Sequence, residues 1–244
     1  MKISFVVPAY NETDYIEHCL QNIAAAVEAC QLDGAFVFTV EYVVADNNSS
    51  DDTARLAAAA GAVVVFEPVN QISRARNKGA AAATGDWLIF IDADSDLSAG
   101  LLREVLVLIE AGEHVGCGSL LAMHDMQGEA RWLFEIWLWI SARLNWAAGS
   151  FVACRADAFR ELGGFSEQLY VAEEIDFSRR IKQYGRKQQK KFTVLRNHPL
   201  RTSNRKISLY SPGELRGQLL RLLLRPRKTM RDKAALDIWY DGRR

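Results

Sequence analysis

With 244 residues, 49% of them hydrophobic, the chain can bury a full core without covalent staples. Its four cysteines, Cys19, Cys30, Cys117 and Cys154, are widely spaced without a CxxC pair, which argues against a disulfide scaffold and for reduced core thiols in a cytosolic protein. The 30 Lys and Arg balance the 30 Asp and Glu, but residues 1–178 hold 10 basic against 26 acidic side chains and residues 179–244 hold 20 against 4, so the last quarter suits an anionic partner: lipid headgroups, nucleic acid or a phosphorylated substrate.

Residues 1–7 carry one positive charge, and Pro8 cuts their β-like run short, so no secretion signal is expected. No stretch of about 18 apolar residues is free of charge, so a membrane span is not expected. Residues 2–7 read as a strand, 8–12 as a loop, and 15–30 as a helix with Ile16, Leu20, Ile23 and Val27 on one side. A second strand at 36–44 leads into Asp46-Asn47-Asn48, and Ser50-Asp51-Asp52-Thr53 starts an alanine-rich helix that Gly61 closes. A strand at 63–66, a helix at 73–83 and a strand at 87–91 complete an alternation that predicts a parallel sheet covered by helices. Beyond residue 100 the pattern changes to a helix at 101–111, a strand at 115–122, an aromatic-dense helix at 131–146, a break at Gly163-Gly164-Phe165, a helix at 173–184 and a basic segment to the end.

Ligands of parallel sheets bind beyond the carboxyl ends of the strands. The polar clusters fall there: Tyr10-Asn11-Glu12, Asp46-Asn47-Asn48, and Asp92-Ala93-Asp94 after the buried run Trp87-Leu88-Ile89-Phe90-Ile91. Two carboxylates two residues apart, with Asp96 beyond, make an oxygen-rich site suited to Mg2+ or Mn2+ bridging a diphosphate. The competing reading is a turn that caps the next helix, a common use of Asp.

Val6-Val7-Pro8-Ala9-Tyr10-Asn11-Glu12, Ala45 to Thr53, Ala75-Arg76-Asn77-Lys78-Gly79, Asp92-Ala93-Asp94, Gly163-Gly164-Phe165 and Glu173-Glu174-Ile175-Asp176, in that order, resemble the family 2 glycosyltransferases. These are inverting enzymes that use nucleotide sugars. The resemblance implies an α/β fold of the GT-A type: a Rossmann-like nucleotide-binding half with a mostly parallel sheet over 1–98, an acceptor half of mixed strands and helices over 99–206, and a basic helical extension over 207–244. It also implies a nucleoside-diphosphate sugar as donor, a hydroxyl acceptor that is lipid- or glycan-linked, no nucleic acid, and Mn2+ or Mg2+ as cofactor.

By the same resemblance, Pro8, Ala9, Tyr10 and Glu12 line the nucleoside pocket, and Asp46 binds a ring N–H of uracil or guanine. Arg76 lies near base and phosphates, Asp92 and Ala93 near ribose and metal shell, and Asp94 ligates the cation, with His198 completing the shell. Glu174 takes the position of the catalytic base. The family carries a Glu-Asp pair there and this chain has Glu173-Glu174, so Glu173 or Asp176 could share the role; three acids in a first turn could also simply complement the helix dipole. Gly149 and Glu173 fall on the acceptor side, and Arg205, in Thr202-Ser203-Asn204-Arg205-Lys206, suits the diphosphate. The motif and membrane helices of processive members are missing, which favours transfer of a single sugar.

Trp132 to Ile140, with Leu144 and Trp146, reads either as a helix buried between elements or as an exposed aromatic surface for a bilayer or lipid-linked acceptor. Residues 219–228 mix leucines with arginines before and after Pro226, which suggests a short basic amphipathic helix and peripheral attachment at the cytoplasmic face of an anionic membrane. Two other functions share the implied fold: a non-catalytic nucleotide-sugar-binding or membrane scaffold, supported by the Glu in place of Asp, and a sugar-phosphate nucleotidyltransferase, whose Gly-rich phosphate loop Pro8 to Glu12 does not provide.

Overall fold

The alternation in β1 (Lys2–Ala9) sends Ile3, Phe5 and Val7 to one face of a sheet and Val6 to the other, and every one of them is fully buried. A strand apolar on both sides must lie at the centre with helices over both faces. The computed structural model, which describes residues 1–123, 128–147, 149–203, 205 and 209–236, places β1 there. Around it run α1 (Ile16–Leu32), β2 (Thr39–Asp46), α2 (Thr53–Ala59), β3 (Val63–Phe66), α3 (Ile72–Ala82) and β4 (Trp87–Ile91), giving the parallel order β3-β2-β1-β4. After β3 the chain crosses to the other side of β1, so the crevice where strand order reverses opens at the ends of β1 and β4.

The second half adds β5 (Ser95–Asp96), α4 (Ala99–Ala111), β6 (His114–Met123), α5 (Gly128–Leu144), β7 (Phe151–Arg155), α6 (Ala156–Glu161), α7 (Glu173–Lys187), β8 (Lys191–Thr202), α8 (Pro212–Leu224) and α9 (Pro226–Thr229). β7 pairs antiparallel with β4 and β6, β6 runs parallel to β8, and β5 closes antiparallel on β8, completing the order β3-β2-β1-β4-β7-β6-β8-β5. One core lies between the sheet and α1 with α4; the other lies between the sheet and α3, α6 and α7.

Two expectations are corrected and one competing reading is set aside. Pro8 belongs to β1 and not to a loop; β4 pairs with β1 only at residues 3–6, so its missing N–H forfeits no ladder bond on that side. Within the basic segment read without an element, residues 191–202 form the strand β8, in which Phe192, Val194 and Leu200 are buried while Lys191 and Arg196 point outward. The cap of α4 is Ser98, whose side chain accepts from Leu101 N–H, so Asp94 and Asp96 are not capping residues. The four cysteines are buried and free. No described helix is long and apolar enough to cross a membrane. The side chains of Leu133, Phe134, Trp137, Leu219, Leu222, Leu223, Pro226 and Arg227, together with residues Asn204, Lys206 and 237–244, lie outside the described residues.

Candidate active site

Arg76 is the floor of the crevice. Helix α3 sits so close to β1 that a Cβ on Gly79 would meet Val6 Cγ1 at 2.5 Å, and this approach carries Arg76, three residues earlier, beneath the strand ends. Only 2% of it is exposed. Its Nη1 donates to Glu173 Oε1 (2.7 Å), its Nη2 to Asp92 Oδ1 (2.8 Å) and the Gly149 carbonyl (3.2 Å), and the guanidinium lies over the Phe165 ring at 5.4 Å. Two carboxylates hold it charged against the cost of burial. Asn77, on the same helix, exchanges two 2.9 Å bonds with the backbone of Phe165, which fixes the loop after Gly164 (φ +70°). Arg76 therefore joins Asp92 to the start of α7, and its guanidinium is committed to protein partners where the family resemblance implied base and phosphates.

Helix α7 begins after Ala172, a non-glycine residue at φ +64°, a strained entry that sets Glu173 and Glu174 at the crevice. Its three first-turn acids divide. Glu173 is buried against Arg76, and Asp176 Oδ2 accepts from Arg180 Nε (2.7 Å), whose other nitrogens hold the Leu162 and Gly164 carbonyls. Glu174 is left hydrogen-bonded to Glu173, and burial together with the Glu173 charge pushes its carboxyl up to about 8. Burial raises Glu173 as well, with Arg76 opposing it.

The rim is built by the loops after β1 and β2. Asn11 and Asn48 take positive φ, and Asn11 N–H donates to Ser49 Oγ (3.0 Å) while its Oδ1 accepts from Ser50 N–H (2.8 Å). Asp46 is buried and accepts from Ser49 N–H (3.2 Å); Glu12 N–H donates to Thr53 Oγ1 (2.8 Å). The Glu12 carboxylate accepts from Arg205 Nη2 at 3.1 and 2.8 Å, and Arg205 stacks on Tyr15, 4.5 Å from its centroid. Pro8 and Ala9 pair with Ala45 and Asp46 directly below, and Tyr10 is half-buried beside them.

Asp94 lies between these regions, its carbonyl accepting from Ser203 N–H (3.2 Å), next to a cavity of about 300 Å3 lined by Tyr15, His18, Asp96 and Thr202 among others. The buried Cys19 thiol is pushed up by desolvation and then by the charges of Asp94, Asp92, Asp96 and Glu12. Among the described residues no three His, Cys, Asp or Glu side chains form a ready metal cage. This donor set fits a dication that keeps waters and takes phosphate oxygens, because such an ion needs only one or two protein carboxylates. His198 is not brought to it. β6 and β8 shift register between Ser119↔Leu195 and Leu121↔Leu200, so residues 196–199 bulge out over α4. There the His198 ring covers Gly100 and its Nδ1 engages Glu104 Oε1.

Residues 4–163 match the family model described as Glycosyl transferase family 2. The chain belongs to that family. This family 2 chain is 34% identical over 116 residues to an uncharacterised glycosyltransferase of Mycobacterium tuberculosis; the match covers 48% of the chain and 47% of that protein, so the chain spans about half the length of this curated relative. In fold it is similar to S. aureus TarS 1–349, solved in complex with UDP-GlcNAc (TM-score 0.65, 18% identity, 99% of this chain and 73% of that one). It is equally similar to the mannosyltransferase PcManGT of Pyrobaculum calidifontis, solved with GDP-Man and Mn2+ (TM-score 0.65, 18% identity, 99% and 65%). The fold is GT-A, a mostly parallel mixed sheet.

Several residues of this family 2 site escaped sequence reasoning. Thr53 was legible only as a helix start, yet its hydroxyl holds the Glu12 backbone. Tyr15 was legible only as a helix start and Ser203 only as part of the motif around Arg205, because the stacking and the bond to Asp94 join segments far apart in the chain. Gly149, expected on the acceptor side, is at φ +50° and contributes its carbonyl to Arg76, a partner that the sequence did not indicate.

Proposed function

We propose that the chain transfers a single sugar from a nucleoside-diphosphate sugar to a hydroxyl acceptor, lipid- or glycan-linked, with inversion at the anomeric carbon. The observation that carries this reading is the division among the acids of α7: Glu173 is held by Arg76, Asp176 by Arg180, and Glu174, held by neither arginine, has its carboxyl raised to about 8 at the crevice. A general base works best when its pKa lies near the working pH. Glu174 would take the proton of the acceptor hydroxyl as its oxygen forms the new bond to the anomeric carbon and the nucleoside diphosphate departs on the other face.

Tyr10, with Pro8 and Ala9, would offer the nucleoside its surface, and Asp46 would accept from the base. Asp94, with Asp92 and the Ala93 backbone beside it, would hold Mg2+ or Mn2+, which neutralises the charge that develops on the diphosphate. Arg205, now paired with Glu12 at the rim, would turn to the diphosphate. Glu173 and Arg76 keep Glu174 and Asp92 at a fixed separation. The Mn2+ complex of a fold neighbour and the nucleotide sugars bound by both neighbours support the donor class and the dication.

The test is release of nucleoside diphosphate from a panel of UDP- and GDP-sugars, with and without Mn2+, using a lipid extract and simple glycosides as acceptors. Product with the anomeric configuration opposite to the donor's is the expected result. Retention of configuration, or no release from any donor, sinks the proposal.

A further inference from the structure

We propose that the outer face of α5 is a docking surface for an anionic lipid bilayer. Two of its aromatic residues are not buried as in an interior helix: Trp132 and Trp139 are 67% and 68% exposed, and Ile136 between them is exposed as well. Steps of four and three residues put Trp132, Ile136 and Trp139 on one helical face, which Arg143 continues. Scattered exposed apolar residues need no explanation, but two indoles and an isoleucine aligned on one stripe form a patch. Indole, apolar with one N–H donor, is the side chain suited to the headgroup boundary.

A second, independent observation selects the occupant. Cations gather where this stripe ends. Arg196 Nη2 donates to the Ala142 carbonyl (2.7 Å) and Lys182 Nζ to the Leu144 carbonyl (2.6 Å), so both reach across to close the C-terminus of α5. Lys182 feels the repulsion of Arg186 and Arg179 on α7, which places these charges in the same cluster, and Arg143 is exposed beside them. Glu135 is the acid that flanks the stripe among the described α5 side chains. A two-fold contact between copies of this chain would set the cationic cluster against itself, whereas an anionic headgroup layer satisfies cations and indoles together.

The chain leads from this helix into the crevice. Six residues past Leu144, the Ser150 carbonyl accepts from Asp92 N–H, and the Gly149 carbonyl accepts from Arg76. Docking would thus bring the acceptor side of the site to the bilayer; that consequence rests on the transfer reading, while docking itself does not. The expectation drawn from residues 219–228 is a rival, since Leu220 and Leu224 of α8 are also exposed.

Co-sedimentation of the full chain with phosphatidylcholine vesicles, alone or mixed with phosphatidylglycerol, tests the inference without turnover, so its failure leaves the transfer reading standing. Binding to the mixed vesicles only, weakened by salt, is expected. Trp132→Ser with Trp139→Ser should lower the affinity about tenfold, and Arg143→Glu with Arg186→Glu should abolish the preference for anionic vesicles. Leu220→Ser with Leu224→Ser should bind as the parent does. The inference is overturned by equal binding to both vesicles, by none to either, by unchanged binding of the tryptophan variant with a native circular-dichroism spectrum, by loss of binding in the α8 variant, or by a dimer in light scattering that the tryptophan variant abolishes.

Discussion

The floor and the rim of the crevice each hold an arginine on acidic partners, and they are built for different ends. Arg76 is buried, clamped by Asp92, Glu173 and the Gly149 carbonyl and covered by Phe165. Arg205 sits at the mouth on one carboxylate, Glu12, with Tyr15 beneath it. A buried guanidinium cannot lose a partner without stranding charge, so it acts as architecture. One that is half-buried at the mouth, with fewer partners to lose, can exchange a carboxylate for a diphosphate more readily. Exposure, not residue type, separates a structural ion pair from a binding group.

Breaking the floor at Glu174, the proposed base, should have the largest effect. Glu174→Gln should lower kcat about a hundred- to ten-thousandfold while leaving nucleotide affinity unchanged, as read by steady-state kinetics and calorimetry. Because the base must be ionised and its carboxyl is raised to about 8, kcat/KM in the parent should climb with pH up to that value. The same group sets a stability slope. The folded chain keeps a proton that the unfolded chain releases in the ordinary carboxylate range, so stability present at low pH is lost as pH rises through about 8. Thermal melts across this window should slope downward in the parent and flatten in Glu174→Gln.

Arg76→Met comes next, with an expected loss of about 3–5 kcal/mol in urea unfolding, since Asp92 and Glu173 are left facing each other without their cation. Asp94→Ala should leave the fold intact and weaken nucleoside-diphosphate binding in Mn2+ roughly tenfold, with little change in EDTA; equal affinities in both conditions would remove Asp94 from the cation. Smaller than for Arg76 is the loss expected for Arg205→Met, about 1–3 kcal/mol in the same urea experiment, because it leaves the buried Glu12 carboxylate without this partner. If it instead destabilises as much as Arg76→Met, the distinction between floor and rim fails.

Much of the first half was readable because its signals are local. Trp87 to Ile91 gave a buried strand from its composition alone, and observed β4 has those bounds. Asp46, Asp92 and Asp94 follow strand ends, so a parallel sheet brings them to one crevice whatever the details. The second half was harder. β8 looked like part of a basic segment because its charged side chains, Lys191 and Arg196 among them, point outward, and β7 left no periodicity distinct from its neighbours. His198 looked like a ligand from its position along the chain, but a register shift between β6 and β8 turned it toward Glu104.

The sequence by itself determined the family, the parallel half of the sheet and the acidic inventory of the site, because strand periodicity, helix starts and motif spacing act over a few residues. Only the tertiary structure decided how those acids are divided. Which of Glu173, Glu174 and Asp176 meets Arg76, which meets Arg180 and which keeps a raised carboxyl depends on contacts between α3, α6 and α7. The same holds for the aromatic stripe of α5, whose exposure depends on what packs against it and not on its own hydrophobicity.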